Sequence, residues 1–597
     1  MQKCATESHT LSDQTQPNRP IFYLVLFLIP ILLLGAIEGG LRAFGYGKTI
    51  PLFVDAQVDN TTAKKTGFLV PNPRIIERYF HDPILAPKVA PDTFLFTQDK
   101  PQNTLRFVVM GGSSAAGFPY GRFGSPTGML KQQLKYFYPN KNIELISVAM
   151  ASINSYALRD FVEEVAKINP DAVIIYAGHN EYLGVMGVGS NFASYGGHWA
   201  NLAFLALRDF RLFQLMQNLV SSSPEKQTKL DEKNIGRTVM ATVAKEKNIP
   251  LDSPLYKEGL AQFESNMRVV LGRLNAKNIP VFIGDLVSNE QHQSPFESVA
   301  ESQGVELSAF ANFKLAQDFF KQSNYAKARE HFIRARDLDL LRFRAPSAFN
   351  QIIEKLAEES GAIKVNVDAR LRADSEYGII GQQHMLEHLH PTARGYFVIA
   401  LAYLQAMQQS DLLESPDQQL SDTLIEELWQ QIPLNDVDHS FAAFKVAQLT
   451  SDYPFKRSQV PYSLPEPTNQ YELLALERMS GGEWIEQQQT LLNVYQRNER
   501  TLDAAIVAGV LFDALKTNHQ VANIASLLFT RADHLRLAHY YARQAITLDE
   551  DNISYRLSYA EILFKRGLKE QSRAQLEYVL QLDPDNVNAR RYLSLIG

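Results

Sequence analysis

Three short stretches carry residue types suited to breaking an ester. The first is Arg106-Phe-Val-Val-Met-Gly-Gly-Ser-Ser-Ala-Ala-Gly117, an apolar strand that runs into a turn of small residues. Small residues let backbone amides approach a reacting group closely, and Ser113 sits just past the strand's carboxyl end, where open α/β sheets place their chemistry. A serine hydroxyl attacks a carbonyl only if a base takes its proton and donors receive the developing oxyanion. The second stretch, Tyr176-Ala-Gly-His-Asn-Glu181, follows another apolar strand, Ala172–Tyr176. The third, Glu387-His-Leu-His-Pro-Thr-Ala-Arg-Gly-Tyr396, offers a base. His390 is favoured there, because Glu387 three residues earlier is spaced to hold its imidazole in one tautomer. His384 and His388 are alternative bases, and Ser114 is an alternative nucleophile. Taken singly, each stretch also reads as an ordinary turn, cap or packing segment.

In this order the three stretches resemble the marks of the SGNH/GDSL hydrolase superfamily, from about residue 105 to 405. The family's Gly-Asp-Ser is matched by Gly111-Gly112-Ser113, its Gly-x-Asn-Asp by Gly178-His179-Asn180-Glu181, and its Asp-x-x-His-Pro by Glu387-His388-Leu389-His390-Pro391. The resemblance implies a catalytic set of Ser113, His390 and Glu387. It also implies an oxyanion hole made by the Ser113 backbone N–H, the Asn180 side-chain amide and a third backbone N–H. In the region Ser147-Val-Ala-Met-Ala-Ser-Ile-Asn-Ser155, Ser152 takes the place of the glycine that supplies that third donor. The chain departs from the family at Gly112 for Asp, Ser152 for Gly and Glu387 for Asp. The last change lengthens the carboxylate arm by one methylene and demands a shifted backbone. No Gly-x-Ser-x-Gly elbow is present, which argues against an α/β-hydrolase. No cluster has metal-ligand spacing, so neither metal nor cofactor is expected. His179 and Glu181 are expected to brace the loop around Asn180. Arg342 and Arg344 either meet an anionic substrate or pair with surface carboxylates.

Strands that alternate with helical patterns must position these residues. The expected strands are Leu105–Met110, Ile143–Val148, Ala172–Tyr176, Pro280–Leu286 and Ala362–Val367, which imply a mostly parallel sheet covered on both faces. The fold class is therefore α/β. The resemblance makes it a flavodoxin-like three-layer hydrolase, with an all-α tetratricopeptide repeat domain and one N-terminal transmembrane helix beside it. At 597 residues, 45% apolar and 21% charged, the chain is long enough for several domains with real cores. The expected division is a disordered tail at 1–20, an anchor at 21–42, a lead-in segment at 50–104, the hydrolase at 105–410, a connector at 411–483 and a repeat array at 484–597. Two insertions interrupt the hydrolase. A helical stretch at 190–278 would form a lid or a cleft wall. At 309–342, Ala316, Phe319, Tyr325, Ala328, Phe332 and Ala335 have the spacing of a single tetratricopeptide repeat. Ala538, Ala542, Ala545, Tyr559, Ala560, Phe564, Gly567, Leu576 and Pro584 continue that spacing in the array. Such stacks bind proteins or peptides, or serve to stabilise or pair the enzyme.

The run from Ile21 to Ile37 carries no charge, and Gly39, Gly40, Leu41 and a snorkelling Arg42 lengthen it to a span. No small-x-small cleavage site follows cleanly, so an uncleaved single-pass anchor is expected rather than a signal peptide. The short tail before it and the large domain behind it place the domain on the extracytoplasmic, periplasmic side. The net charge of −6 offers no support for a nucleic-acid partner. The single cysteine, Cys4, excludes intrachain disulfides and reads as incidental. The leading expectation is a membrane-anchored serine esterase whose ester substrate is an O-acetyl group of envelope polysaccharide. An O-acyltransferase with the same catalytic set, and a non-catalytic scaffold that keeps the hydrolase fold, remain as alternatives.

Overall fold

The computed structural model describes residues 19–56, 67–80, 86–190, 196–220, 238–243, 248–458 and 462–596. Cys4 and residues 1–18 of the expected disordered tail lie outside the described residues, and Arg19 and Pro20 already belong to the helix Arg19–Ala43. The chain divides into two compact units, residues 1–50 with 202–232, and residues 51–201 with 233–597.

The larger unit contains two sheets. The lead-in segment folds into a small antiparallel sheet of β1 (Phe53–Asp55), β2 (Phe68–Pro71) and β3 (Phe96–Thr97). The main sheet holds β4 (Thr104–Gly111), β5 (Asn142–Ser147), β6 (Ala172–Tyr176), β7 (Val281–Gly284) and β8 (Ile363–Val365). All its pairings are parallel, in the order β5-β4-β6-β7-β8. This is the flavodoxin-like order, 2-1-3-4-5 within the sheet, and it puts the carboxyl ends of β4 and β6 side by side at its switch point. The fold class expected from the sequence is thus the one observed. β7 and β8 are shorter than expected: Pro280, Asp285 and Leu286 fall outside the first, and Ala362, Asn366 and Val367 outside the second.

Burial on both faces explains the unbroken apolar runs of β4 and β6: Phe107–Met110 and Ala172–Tyr176 are all buried. The one charge inside β4 is answered locally. Arg106 is fully buried, with Nε 2.7 Å from Glu144 Oε2 on β5 and Nη1 donating to the Ile168 carbonyl.

Helix pairs account for the alanine spacing. In the inserted pair, Ala309–Lys321 and Tyr325–Leu338, Ala316 and Ala328 let the two helices approach while Phe332 fills the gap. Tyr377 stacks on Tyr325 at 3.8 Å and closes the end. The array pairs Trp484–Arg497 with Thr501–Ala514, His519–Arg531 with Leu535–Leu548, and Ile553–Lys565 with Lys569–Leu582, and ends in Val587–Ile596. The connector is itself largely helical, with Asp422–Gln430, Asp436–Thr450 and Gln470–Met479.

The array does not hang free of the α/β core. Asp513 takes Lys131 at 3.0 Å and also Lys135, both from the helix Pro126–Phe137. Lys135 Nζ also donates to Tyr541 Oη at 2.9 Å, and Arg543 binds the carbonyls of Pro139 and Lys141 just before β5. Burial pulls the Lys135 ammonium down to about 8 against the opposing pull of Asp513. Asp513 is the carboxylate that both lysines share, so its removal strands two buried ammonium groups. Asp513→Ala should therefore cost about 3–5 kcal/mol of stability, read as a lower denaturant midpoint of the full chain. A midpoint unchanged from wild type would show that the pair contributes nothing.

The smaller unit contains the helix Arg19–Ala43, whose segment Phe22–Ala43 is long and apolar enough to cross a membrane (mean hydropathy 2.4). It also contains the amphipathic helix Arg211–Val220.

Candidate active site

The carboxyl end of β4 delivers Ser113. Gly111 is packed so tightly that an added Cβ would lie 2.1 Å from the Tyr176 carbonyl oxygen. At Gly112, where the family has Asp, a Cβ would lie 2.8 Å from Asn180 Nδ2. The departure at 112 thus makes room for the Asn180 amide beside Ser113. Ser113 begins the one-turn helix Ser113–Ala116, and Gly117 ends it in the left-handed region (φ 87°).

Ser113 Oγ lies 2.7 Å from His390 Nε2. The other ring nitrogen, Nδ1, meets Glu387 Oε1. Glu387 reaches this position by folding back over its own loop: its carboxylate also accepts the His390 N–H at 3.0 Å and the His388 N–H at 2.6 Å. That is how the longer side chain is accommodated. The loop is held by Leu386 N–H to His390 O (2.8 Å), Asn289 N–H to His388 O (2.9 Å) and Thr392, which caps the following helix through Gly395 N–H (3.0 Å). The Phe118 ring packs 4.6 Å from the His390 imidazole. Burial draws His390 below its ordinary value, so the ring stays neutral and able to accept a proton.

The structure separates the alternatives. Ser114 Oγ turns to the Leu389 carbonyl at 3.4 Å. His384 is committed to Asp374 (2.8 Å) and Ser375 (3.1 Å). His388 shares the Glu387 carboxylate but sits inside a ring of Phe296, Phe343 and Phe455. Glu387, His388 and His390 bring three ligand-type atoms within 4.8 Å of one another. Those atoms are already spoken for, because Glu387 serves both imidazoles and His390 serves Ser113.

Asn180 uses one amide hydrogen on the Ile153 carbonyl (3.0 Å), which fixes the group and leaves the second hydrogen for a ligand. Ser152 adopts the left-handed conformation (φ 65°), and its carbonyl accepts the Val185 N–H at 2.7 Å. His179 and Glu181 brace their surroundings. His179 Nδ1 accepts the Ala345 N–H (3.1 Å), and Glu181 takes the Ser155 N–H (3.1 Å) and Oγ–H (2.7 Å). Burial pushes the Glu181 carboxyl up to about 7.

Arg342 and Arg344 correct the sequence reading. Both are buried rather than on the surface, and neither lines the cavity described next. Arg344 binds Asp339 (3.0 Å) and the Asn289 carbonyl (2.9 Å), and Arg342 binds the carbonyls of Ile249 and Asp337. A guanidinium with its five donors suits such carbonyl-rich loop ends.

Ser113, Ser152, Asn180 and His390 open onto one cavity of about 710 Å³. Phe118, Leu183, Phe343 and Leu389 make its core-side wall. Two further walls come from far along the chain. Thr238, Val239 and Met240 belong to the insertion, and Lys445, Gln448, Leu449 and Asp452 to the end of the connector helix Asp436–Thr450 and its continuation. Asp452 Oδ2 accepts the Thr238 N–H at 2.9 Å and joins the two walls. The lead-in segment, which shows no chemistry in the sequence, contributes Lys88 and Val89.

No family model matches the chain, and no curated protein does. Among solved structures, a GDSL-like lipase from Bacteroides thetaiotaomicron is 13% identical over 53% of this chain and 92% of its own, with a TM-score of 0.25. An acetyl xylan esterase is 14% identical over 50% of this chain and 98% of its own, with a TM-score of 0.25. A tetratricopeptide domain of Spaghetti, bound to an HSP90 peptide, is 19% identical over 19% of this chain and 89% of its own, with a TM-score of 0.18. The chemistry rests on this chain's own residues.

If Asn180 serves as an oxyanion donor, Asn180→Ala should lower kcat by about 10²–10³-fold with little change in KM, since such a donor acts on charge that exists only in the transition state. Steady-state rates on p-nitrophenyl acetate read this, and a rise in KM alone would place Asn180 in ground-state binding instead.

Proposed function

We propose that the chain is a membrane-anchored serine hydrolase of the SGNH/GDSL type, acting on an ester through Ser113, His390 and Glu387. The observation that carries this reading is the 2.7 Å approach of Ser113 Oγ to His390 Nε2, with Glu387 behind the imidazole and the Asn180 amide beside the serine. Ser113 Oγ attacks the carbonyl carbon while its proton passes to His390 Nε2. The oxyanion is received by the N–H groups of Ser113 and Ser152 and the amide of Asn180. Collapse expels the alcohol, which takes the proton from His390. A water molecule, deprotonated by the same nitrogen, then releases the acid and restores Ser113. If a sugar hydroxyl replaces that water, the identical acyl-enzyme makes the chain an O-acyltransferase. An O-acetyl group on envelope polysaccharide suits an enzyme held by the helix Arg19–Ala43 with its domain on the extracytoplasmic side.

A fluorophosphonate probe tests the reading. Ser113 should be labelled, as located by peptide mass, and His390→Ala should abolish labelling. Sign and window follow from His390. Protonated, it cannot accept the serine proton, so labelling is lost as pH falls through its pKa. Burial lowers that pKa, so the acid limb should lie below the ordinary histidine value of about 6.5. Labelling of Ser113→Ala at the wild-type rate defeats the proposal. Release of free acetate against transfer to an added alcohol separates hydrolase from transferase.

A further inference from the structure

The smaller unit exposes part of the apolar stripe of an amphipathic helix. Arg211–Val220 carries Leu212, Leu215, Met216 and Leu219 on one stripe, and Arg211, Gln214 and Asn218 on the opposite side. In a soluble protein the apolar stripe faces inward. Here side chains of the polar side bind the segment that follows the apolar helix. Gln214 Nε2 donates to the Lys48 carbonyl at 2.8 Å, while its Oε1 accepts the Lys48 N–H at 3.0 Å. Asn218 Nδ2 donates to Tyr46 Oη at 2.8 Å, and Arg211 Nη2 to Thr49 Oγ1 at 2.9 Å. These partners are the residues that immediately follow the apolar helix Arg19–Ala43. The last turns of that helix grip the same segment. Glu38 accepts the backbone N–H groups of Arg211 (3.0 Å) and Leu212 (2.9 Å), and Arg42 donates to the Asp209 carbonyl at 2.9 Å while pairing with Glu38.

Of the apolar stripe, Met216 and Leu219 are exposed while Leu212 and Leu215 are half-buried, and Phe210 just before the helix is exposed too. Leu219 is 69% exposed, Met216 57% and Phe210 49%, and Phe44 at the end of the apolar helix is almost fully exposed. Met216 and Leu219, three residues apart on one helix face, stand with Phe210 and Phe44 as large apolar side chains exposed close to the span, the mark of a surface that meets something other than water. Continuity identifies it. The helix bearing Met216 and Leu219 is hydrogen-bonded to the end of a helix whose own side chains, Phe22 to Leu34, are exposed and apolar in the same way. A helix fixed at the end of a span, with apolar side chains exposed, sits where headgroups meet acyl chains.

We propose that Arg211–Val220 lies in the membrane interface as a second, monotopic contact beside the span, with Phe210, Met216 and Leu219 entering the acyl boundary. This rests on the anchor reading given above. It gives the first part of the 190–278 insertion a lipid-facing role, distinct from the lid or cleft wall expected of the whole insertion.

The single cysteine makes the test direct. The full chain carrying Cys4→Ser receives one new cysteine, Leu219→Cys or, as a second position, Met216→Cys, and an NBD label. Leu32→Cys reports the span, and Lys569→Cys reports water. In vesicles of phosphatidylcholine and phosphatidylglycerol, labels at 219 and 216 should emit blue of the 569 label. They should lose about half their emission to lipids spin-labelled near the headgroup and less to lipids labelled at the chain end. The label at 32 should show the reverse depth preference. If 32 is quenched by lipid while 219 and 216 are as open to aqueous dithionite as 569, the interfacial helix is wrong and the anchor stands. Blue emission at 219 without quenching by lipid means that protein, a partner or a second copy, covers the stripe, and also overturns the proposal. If 32 itself is not quenched, the anchor reading fails and the interfacial helix falls with it.

Discussion

Ser113→Ala is expected to lower kcat for p-nitrophenyl acetate by about 10³–10⁴-fold, with KM nearly unchanged. The reason is local. Ser113 Oγ is the hydroxyl within reach of His390 Nε2, and its loss leaves the imidazole with no serine proton to take. Water in the vacated space is a poor substitute, because it is not held against the carbonyl by the chain. The donors at Ser152 and Asn180 survive the change, so a residual rate above the uncatalysed one should persist. Ser114→Ala is the matched control. Its hydroxyl is buried and faces the Leu389 carbonyl at 3.4 Å, so activity should stay within a few-fold of wild type. Equal rates for wild type and Ser113→Ala would remove the covalent mechanism. If those equal rates were also at background while an alcohol acceptor gave no product, the scaffold alternative would be left standing.

Ser113 and Asn180 were readable because each follows a strand end with a local signature. Gly111-Gly112-Ser113 follows β4, and Gly178-His179-Asn180 follows β6; a parallel sheet sets those ends side by side whatever lies between them. His390 arrives on a loop fixed by its own Thr392 cap. Other features left no local mark. Glu387 folding back is a property of backbone N–H directions, which side-chain spacing does not encode. The left-handed backbone at Ser152 is unusual for a residue with a Cβ, and only its surroundings select it. Val239, Met240 and Leu449 meet across more than two hundred residues with no motif at either end. Arg342 and Arg344 carry charge and so read as surface residues. Their burial depends on carbonyls supplied by segments distant in sequence. The helix Arg211–Val220 lies in a stretch that reads only as helical, and which of its side chains meet the protein depends on the hydrogen bonds of Lys48, Gln214 and Glu38.

Glu387→Gln is expected to cost about 10²–10⁴-fold in kcat, through a count of donors and acceptors. Two backbone N–H groups, of His388 and His390, point into the carboxylate, and so do the Nδ1 atoms of both imidazoles. A carboxylate offers about four lone-pair sites to these four groups, whereas an amide oxygen offers about two and its nitrogen adds two unwanted donors. The amide must therefore turn its NH₂ toward one ring. Turned toward His390, it makes Nδ1 an acceptor and moves the proton to Nε2, the nitrogen that must receive the Ser113 proton. Turned toward His388, it confronts the backbone N–H at 2.6 Å and disturbs the loop. Turned toward His390, the NH₂ likewise confronts that residue's own backbone N–H at 3.0 Å, so both routes disturb the loop and lower kcat, and only the first relocates the His390 proton, which the pH dependence of kcat reads. Glu387→Asp keeps all acceptors but withdraws them by one methylene from a backbone fitted to the longer arm. Its loss should be intermediate, and its activity should keep the wild-type pH dependence where Glu387→Gln does not. A Glu387→Gln variant with wild-type kcat would show that His390 needs no carboxylate, and would reduce the site to a serine–histidine pair.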